Sequence, residues 1–181
     1  MAQLITSKHT SVNSTKLPAI YKKIDWEKLK FIARKDYGKN NFVVFDIGCG
    51  AYTEHIGYWL SQRGIGYYAY DPYWFGHTQE MLIRNYKSFL LREGNQGFII
   101  CSNVLNVIFP WTEVLRTKGL IYEFKAPWFI SVYDGNKSGI GGVTKDDCWQ
   151  WNRRLKDYIT IPDEVIRKGV LTEEQYKQFI I

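Results

Sequence analysis

Residues 42–50 read "FVVFDIGCG" and residues 67–74 read "YYAYDPYW". Each is a short run of apolar and aromatic residues that reaches an acid and reads as a strand, and the first, with its β-branched and aromatic residues, has the look of one buried on both faces of a parallel sheet. Between them, "TEHIGYWLSQRG" offers Thr53 as a helix cap, Ile56, Trp59 and Leu60 as an inward stripe, and Gly64 as the stop. The separation of the two acids, 71 − 46 = 25 residues, is what a strand, a helix and the next strand require. In an open α/β sheet the ligand crevice lies outside the carboxyl ends of the strands, where Asp46, Gly48, Gly50 and Asp71 all fall. Glycines there let the backbone turn tightly, and an acid ending the second strand accepts hydrogen bonds from both hydroxyls of a ribose. A nucleoside-bearing ligand is expected. A dinucleotide fingerprint begun at Gly48 needs glycine at position 53, where this chain has Thr53, which disfavours NAD.

Outward from this unit, strands and helices alternate. Leu17 to Tyr37 reads as one or two short helices, with Pro18 near a helix start and Gly38 as the end. After "YYAYDPYW", Thr78 caps a helix carrying Leu82, Tyr86, Phe89 and Leu90 on one face, closed by Gly94. "GFIICSNVLNVI" is expected to supply a third strand and "PWFISVYD" another, separated by a helix and a shorter piece. Beyond the loop "DGNKSGIGG", Thr144 is expected to open a helix with Cys148, Trp151, Leu155 and Tyr158 on one face, and Thr172 with Gln175 forms a capping-box pattern near the end. A P-loop counted from Gly135 needs a glycine and a lysine where Ile140 and Gly141 stand, so the loop reads as a substrate rim or a connector. Trp149, Gln150, Trp151 and Asn152 suit either recognition of a flat substrate or core packing.

The 181 residues, 45% hydrophobic and 17% aromatic, are enough for one core. We expect residues 1–16 to form a flexible leader and residues 17–181 a single domain. No apolar run approaches the ~20 residues of a membrane helix and no signal peptide is evident, so a cytoplasmic protein is expected. Cys49, Cys101 and Cys148 have no CxxC spacing, and His9, His55 and His77 are scattered, so neither a disulfide framework nor a metal site is expected. The net charge of +6 is concentrated: residues 1–40 hold nine Lys/Arg against three Asp/Glu, and the remaining residues balance. That segment is either an arm attracting phosphates, hence nucleic acid, or an amphipathic helix with solvated lysines.

"DIGCG" is similar to the DxGxG signature of class I S-adenosylmethionine-dependent methyltransferases, and "YAYDPYW" resembles their second acidic motif. "IICSNVLNVI" looks like their fourth strand and the following turn, in the form found in small bacterial and phage proteins that include members accompanying DNA phosphorothioation systems. "LPAIYKK" before the core and "VYDGNKSGIGG…WQWN" after it are also similar, so the resemblance spans roughly residues 17–158.

The resemblance implies a compact α/β, Rossmann-like class I methyltransferase fold and S-adenosyl-L-methionine as cofactor. Asp46, Gly48, Cys49 and Gly50 would surround its methionine and ribose, and Asp71 would hold the ribose hydroxyls. Pro72 and Tyr73 would lie near the adenine, and Ser102 and Asn103 would close the methionine end. Tyr21 and Lys22 are candidates for its carboxylate. Asn103, Tyr133 and Asp134 are the candidate catalytic residues, with Tyr133 or Asp134 as base if one is used. The interval from Asp71 to Phe98 leaves room for one helix, so one strand–helix unit is expected to be missing. "SNVLNV" lacks the Pro-Pro-aromatic motif of amino-methylating DNA enzymes, so base N-methylation by that scheme is not implied. The acceptor and oligomeric state stay open, with nucleic acid favoured as acceptor. The alternative is a non-catalytic cofactor- or nucleoside-binding protein that regulates a partner.

Overall fold

The computed structural model describes residues 16–50, 53–72, 79–145 and 148–158. The Thr78 cap, Tyr73, residues 1–15 of the expected leader and the Thr172–Gln175 pattern lie outside these residues. The protein is α/β, with a central parallel sheet ordered β2-β1-β3-β4 and flanked by helices. Its strands are β1 (Asn41–Ile47), β2 (Ile65–Tyr70), β3 (Asn95–Ser102) and β4 (Trp128–Ser131). The helices are α1 (Ala19–Lys23), α2 (Trp26–Tyr37), α3 (Glu54–Ser61), α4 (Gln79–Leu90) and α5 (Trp111–Glu123).

Strand alternation sorts the core into two layers. Phe42 and Val44 of β1, with Phe98 and Ile100 of β3, meet α1, α2 and α3 through Ile20, Trp26, Leu29, Ile32, Ile56 and Leu60. Phe45 and Ile47, with Ile99, Cys101 and Ile130, meet α4 and α5 through Tyr86, Val114 and Ile121. β1 is paired on both sides, with Asp46 level with Ala69 of β2 and Ile100 of β3. The chain runs from β1 outward to β2 and then returns to the other side of β1 to form β3. The switch in direction falls between β1 and β3, and the crevice of a doubly wound sheet opens at that point. β2 is the edge of the described sheet, and one helix, α4, lies between it and β3.

Gly38 caps α2 in left-handed backbone as expected, whereas Gly64 and Gly94, also left-handed, stand in the turns beyond the ends of α3 and α4. Thr53 occupies the N-cap of α3 but makes no side-chain bond there; its carbonyl accepts from Ile56 and Gly57. Other expectations are corrected. β3 ends at Ser102, because Asn103 turns to φ +58° and residues 103–108 leave the sheet. Residues 111–123 form one helix, α5, with no second piece.

The helix expected from Thr144 is an antiparallel hairpin, β5 (Gly141–Lys145) and β6 (Cys148–Trp151), followed by a 3-10 turn at Leu155–Asp157. Aromatic and β-branched residues favour strand here, and the hairpin is seated from outside. Trp151 donates its backbone N–H to the Asn106 carbonyl (2.7 Å) and its indole N–H to the Ile108 carbonyl (2.7 Å). Trp149 and Trp151 also pack against Phe109 at 4.4 and 6.4 Å between ring centres. Gln150 and Asn152 donate to the carbonyls of Tyr133 and Ile140, so this quartet is engaged within the fold.

At Gly97 α4 lies close against β3: a Cβ there would overlap the Tyr86 hydroxyl and Leu90. The same hydroxyl donates to the Phe98 carbonyl at 3.2 Å. Gly97→Ala should therefore destabilise the protein by about 1–3 kcal/mol through overpacking, seen as a melting temperature lower by several degrees. An unchanged melting temperature would contradict this seating of α4.

Candidate functional site

The chain leaves β1 through two left-handed glycines, Gly48 (φ +74°) and Gly50 (φ +77°), a conformation that costs other residues roughly 1–2 kcal/mol. The turn folds back across the end of β2. Gly48 donates its N–H to the Tyr70 carbonyl at 2.7 Å, and Cys49 donates to the same oxygen at 3.4 Å. Gly50 donates to Asp71 Oδ2 at 3.0 Å. The first glycine motif and the second acid, 21 residues apart, are therefore one hydrogen-bonded unit. Asp71 is 4% exposed and is held at the carboxyl end of its strand.

Asp46 belongs to the same turn but faces the α1–α3 layer. Its Oδ2 accepts from the Tyr21 hydroxyl at 2.7 Å and from the Tyr67 hydroxyl at 2.9 Å. Tyr21 is brought there by α1, which is anchored by the Trp26 indole donating to the Tyr21 carbonyl at 2.9 Å. Burial raises the Asp46 carboxyl from 3.8 to about 6, against the lowering effect of the two tyrosine bonds and with a further push from Asp71. Burial, then the Asp46 charge, holds both tyrosines well above the ordinary phenol range, so they act as neutral donors. The Cys49 thiol is likewise raised by burial and then by Asp46 and Asp71. Such a thiol is a packing group rather than a nucleophile.

Tyr21 thus reaches Asp46, and Lys22 is exposed on α1. Tyr67 belongs to the site although no sequence motif marks it, and a subtler signal for it exists. It is paired with Val44, two positions before Asp46, and so shares the acid's face, while the small Ala69 sits level with Asp46.

Across the switch point, Ser102 Oγ lies 3.1 Å from Ser131 Oγ, and Asn103 donates its N–H to the Ser131 carbonyl at 2.7 Å. The next residue, Val104, fills the space a Gly48 side chain would need. The turns after β1 and β3 therefore meet. Asn103 is exposed, and Pro72 is exposed beside Asp71. Tyr133 and Asp134 lie further along, past the end of β4, lining a separate groove of about 750 Å³; Tyr133 is 65% exposed. Among the described residues no hydrogen bond joins either one to the glycine turn.

Within the described residues, no group of three or more His, Cys, Asp or Glu side chains is placed to hold a metal, and no helix is long and apolar enough to cross a membrane. What the site offers chemically is a buried carboxylate and a glycine backbone at the carboxyl edge of a parallel sheet. Those groups match a ligand with neighbouring hydroxyls.

Asp46 makes a signed prediction. Below pH 3.8 it is protonated folded or unfolded and contributes nothing; from 3.8 to about 6 only the unfolded chain ionises, so stability falls as pH rises. The loss is on the order of 3 kcal/mol and is complete above about pH 6. Asp46→Asn, which keeps an acceptor for the tyrosines, should remove it. Urea unfolding of both proteins at pH 4 and pH 7 measures this, and equal pH dependence in the two would contradict it.

Comparison with protein-family models, with curated proteins and with solved structures finds no significant match for the chain.

Proposed function

We propose that the protein is an S-adenosyl-L-methionine-dependent methyltransferase. The observation that carries this reading is the bond from Gly50 N–H to Asp71 at the carboxyl edge of the sheet, beside the switch in strand order. It fixes one carboxylate oxygen against the glycine turn, an arrangement suited to gripping a ribose diol. The similarity of "DIGCG" and "YAYDPYW" to methyltransferase motifs selects this cofactor among nucleosides, and β2 at the edge of the described sheet fits the compact form lacking a strand–helix unit. Cytoplasmic action accompanies this reading.

The cofactor supplies a sulfonium-bound methyl with a good leaving group. The chain's task is to bind and orient the two reactants, which can provide much of the rate. Gly48, Cys49 and Gly50 present backbone, Asp71 holds the ribose, and Pro72 borders the adenine. Asp46 acts one step removed, tying the turn to α1 and β2 through its two tyrosines. Ser102 and Asn103 form the opposite wall, and Tyr133 or Asp134 takes a proton where the acceptor must lose one.

A second reading, a non-catalytic nucleoside-binding regulator, is favoured by Val104 occupying the hollow beside Gly48. Turnover separates the two. Radiolabelled S-adenosylmethionine supplied with nucleic acid, protein and metabolite pools should label one of them, and Asn103→Ala should reduce turnover more than cofactor affinity. Tight cofactor binding without transfer to any pool would favour the regulator. Asp71→Asn, which keeps an acceptor for Gly50, should weaken cofactor binding by about 1.5–3 kcal/mol with little change in melting temperature. Undiminished affinity in that variant, measured by calorimetry, would remove Asp71 from the site.

A further inference from the structure

The basic residues of the N-terminal segment do not share one solvated face. Lys30 is 5% exposed, donates to the Arg63 carbonyl and pairs with Glu27 at 2.8 Å. It is a structural lysine. Lys23, the last residue of α1, instead faces the groove beyond β4 that also receives Tyr133 and Asp134. Three further cations reach that groove from elsewhere in the chain: Lys137 from the loop after β4, and Arg154 and Lys156 from the segment at the 3-10 turn. Four cations therefore surround one concavity of about 750 Å³, with Asp134 as the acid among its lining residues.

Side chains of one sign repel, so their convergence from three chain segments costs stability unless an anion compensates. Among the described residues, none of the four belongs to an ion pair. The backbone adds to this, because Lys137 sits at φ +62°, a conformation that disfavours a lysine, in a turn closed by its N–H donating to the Asp134 carbonyl at 3.2 Å. The same groove is lined by Tyr133, an aromatic residue that is 65% exposed and whose carbonyl accepts from Gln150 at 3.2 Å. A positive groove with an exposed aromatic ring is the combination that binds single-stranded nucleic acid, with cations following phosphates and the ring stacking on a base.

We propose that this groove binds a phosphate-bearing nucleobase ligand, with Lys23, Lys137, Arg154 and Lys156 on the phosphates and Tyr133 against the base. The ligand is either a segment of single-stranded nucleic acid or a free nucleotide. Ser131, one of the residues lining the groove, is bonded to Ser102 and Asn103, so the groove adjoins the proposed wall of the cofactor site. Its role as the subsite of the methyl acceptor rests on the transferase reading; its affinity for the ligand does not. Asp134 then stands beside the acceptor.

The test is fluorescence anisotropy of the full chain with a labelled single-stranded DNA or RNA oligonucleotide across a salt series, without cofactor. Lys137→Glu/Arg154→Glu should weaken binding at least tenfold at low salt and lessen the steepness of log affinity against log salt by about 1.4, at roughly 0.7 for each phosphate no longer neutralised. Lys137→Gln/Arg154→Gln should act in the same direction if the reversed charges impair folding, as judged by the melting temperature. Tyr133→Ala should weaken binding at least fivefold at every salt concentration. Lys35→Glu/Arg92→Glu, outside the groove, should change the affinity less than twofold. Competition by a 5′-mononucleotide as effective per mole as by unlabelled oligonucleotide assigns the free nucleotide as ligand, and competition by the oligonucleotide alone assigns the strand. No binding of oligonucleotide or mononucleotide, full affinity in the groove variants, or equal competition by inorganic phosphate would overturn the proposal. S-adenosylmethionine titration of the same proteins keeps the two readings apart: cofactor binding without groove binding defeats this proposal alone, and groove binding without cofactor binding defeats the transferase reading alone.

Discussion

The buried carboxylate of Asp46 is the constraint around which the site is organised. A charge at 3% exposure is costly, and two tyrosine hydroxyls at 2.7 and 2.9 Å only partly offset the cost, as the rise of its pKa to about 6 indicates. An apolar residue on this face of β1 would pack without that penalty. The acid instead joins three elements: α1 through Tyr21, β2 through Tyr67, and, along the chain, the glycine turn that follows β1. Charged hydrogen bonds of this kind contribute roughly 1.5–3 kcal/mol each. They also set where the turn begins, and therefore where Gly50 meets Asp71.

Positioning passes from that hub to the crevice by short covalent and hydrogen-bonded steps. Asp46 lies two residues before Gly48, whose N–H is fixed on the end of β2; Gly50 then fixes Asp71. On the far side, Val104 packs over Gly48 while Asn103 is pinned to Ser131. The turns after β1 and β3 are thus held by the N–H groups of Gly48, Cys49, Gly50 and Asn103, each bonded within the fold.

Much of this is legible in the sequence, for identifiable reasons. β1 and the glycine turn announce themselves because a strand buried on both faces must be continuously apolar and because left-handed turns select glycine, while the half-buried β2 is marked by its aromatic residues. The stripe of α4 and the stops at Gly38, Gly64 and Gly94 follow local rules as well. What is not legible depends on distant partners. Cys148, Trp151, Leu155 and Tyr158 recur at a spacing that mimics a helix, yet the carbonyls of Asn106 and Ile108 hold Trp151 in a strand. The direction of the Asp46 side chain depends on Tyr21, 25 positions away, and the lysine count of residues 1–40 does not separate Lys30 in the core from Lys23 on a groove. The groove itself is assembled from three separate segments.

The central claim is that the turn joining Asp46 to Asp71 holds the nucleoside of S-adenosylmethionine. Calorimetric titration of the unaltered protein with S-adenosylmethionine, S-adenosylhomocysteine and NAD tests it most directly. The account predicts saturable 1:1 binding of the first two and none of NAD. Binding of none of the three, or of NAD alone, would contradict it.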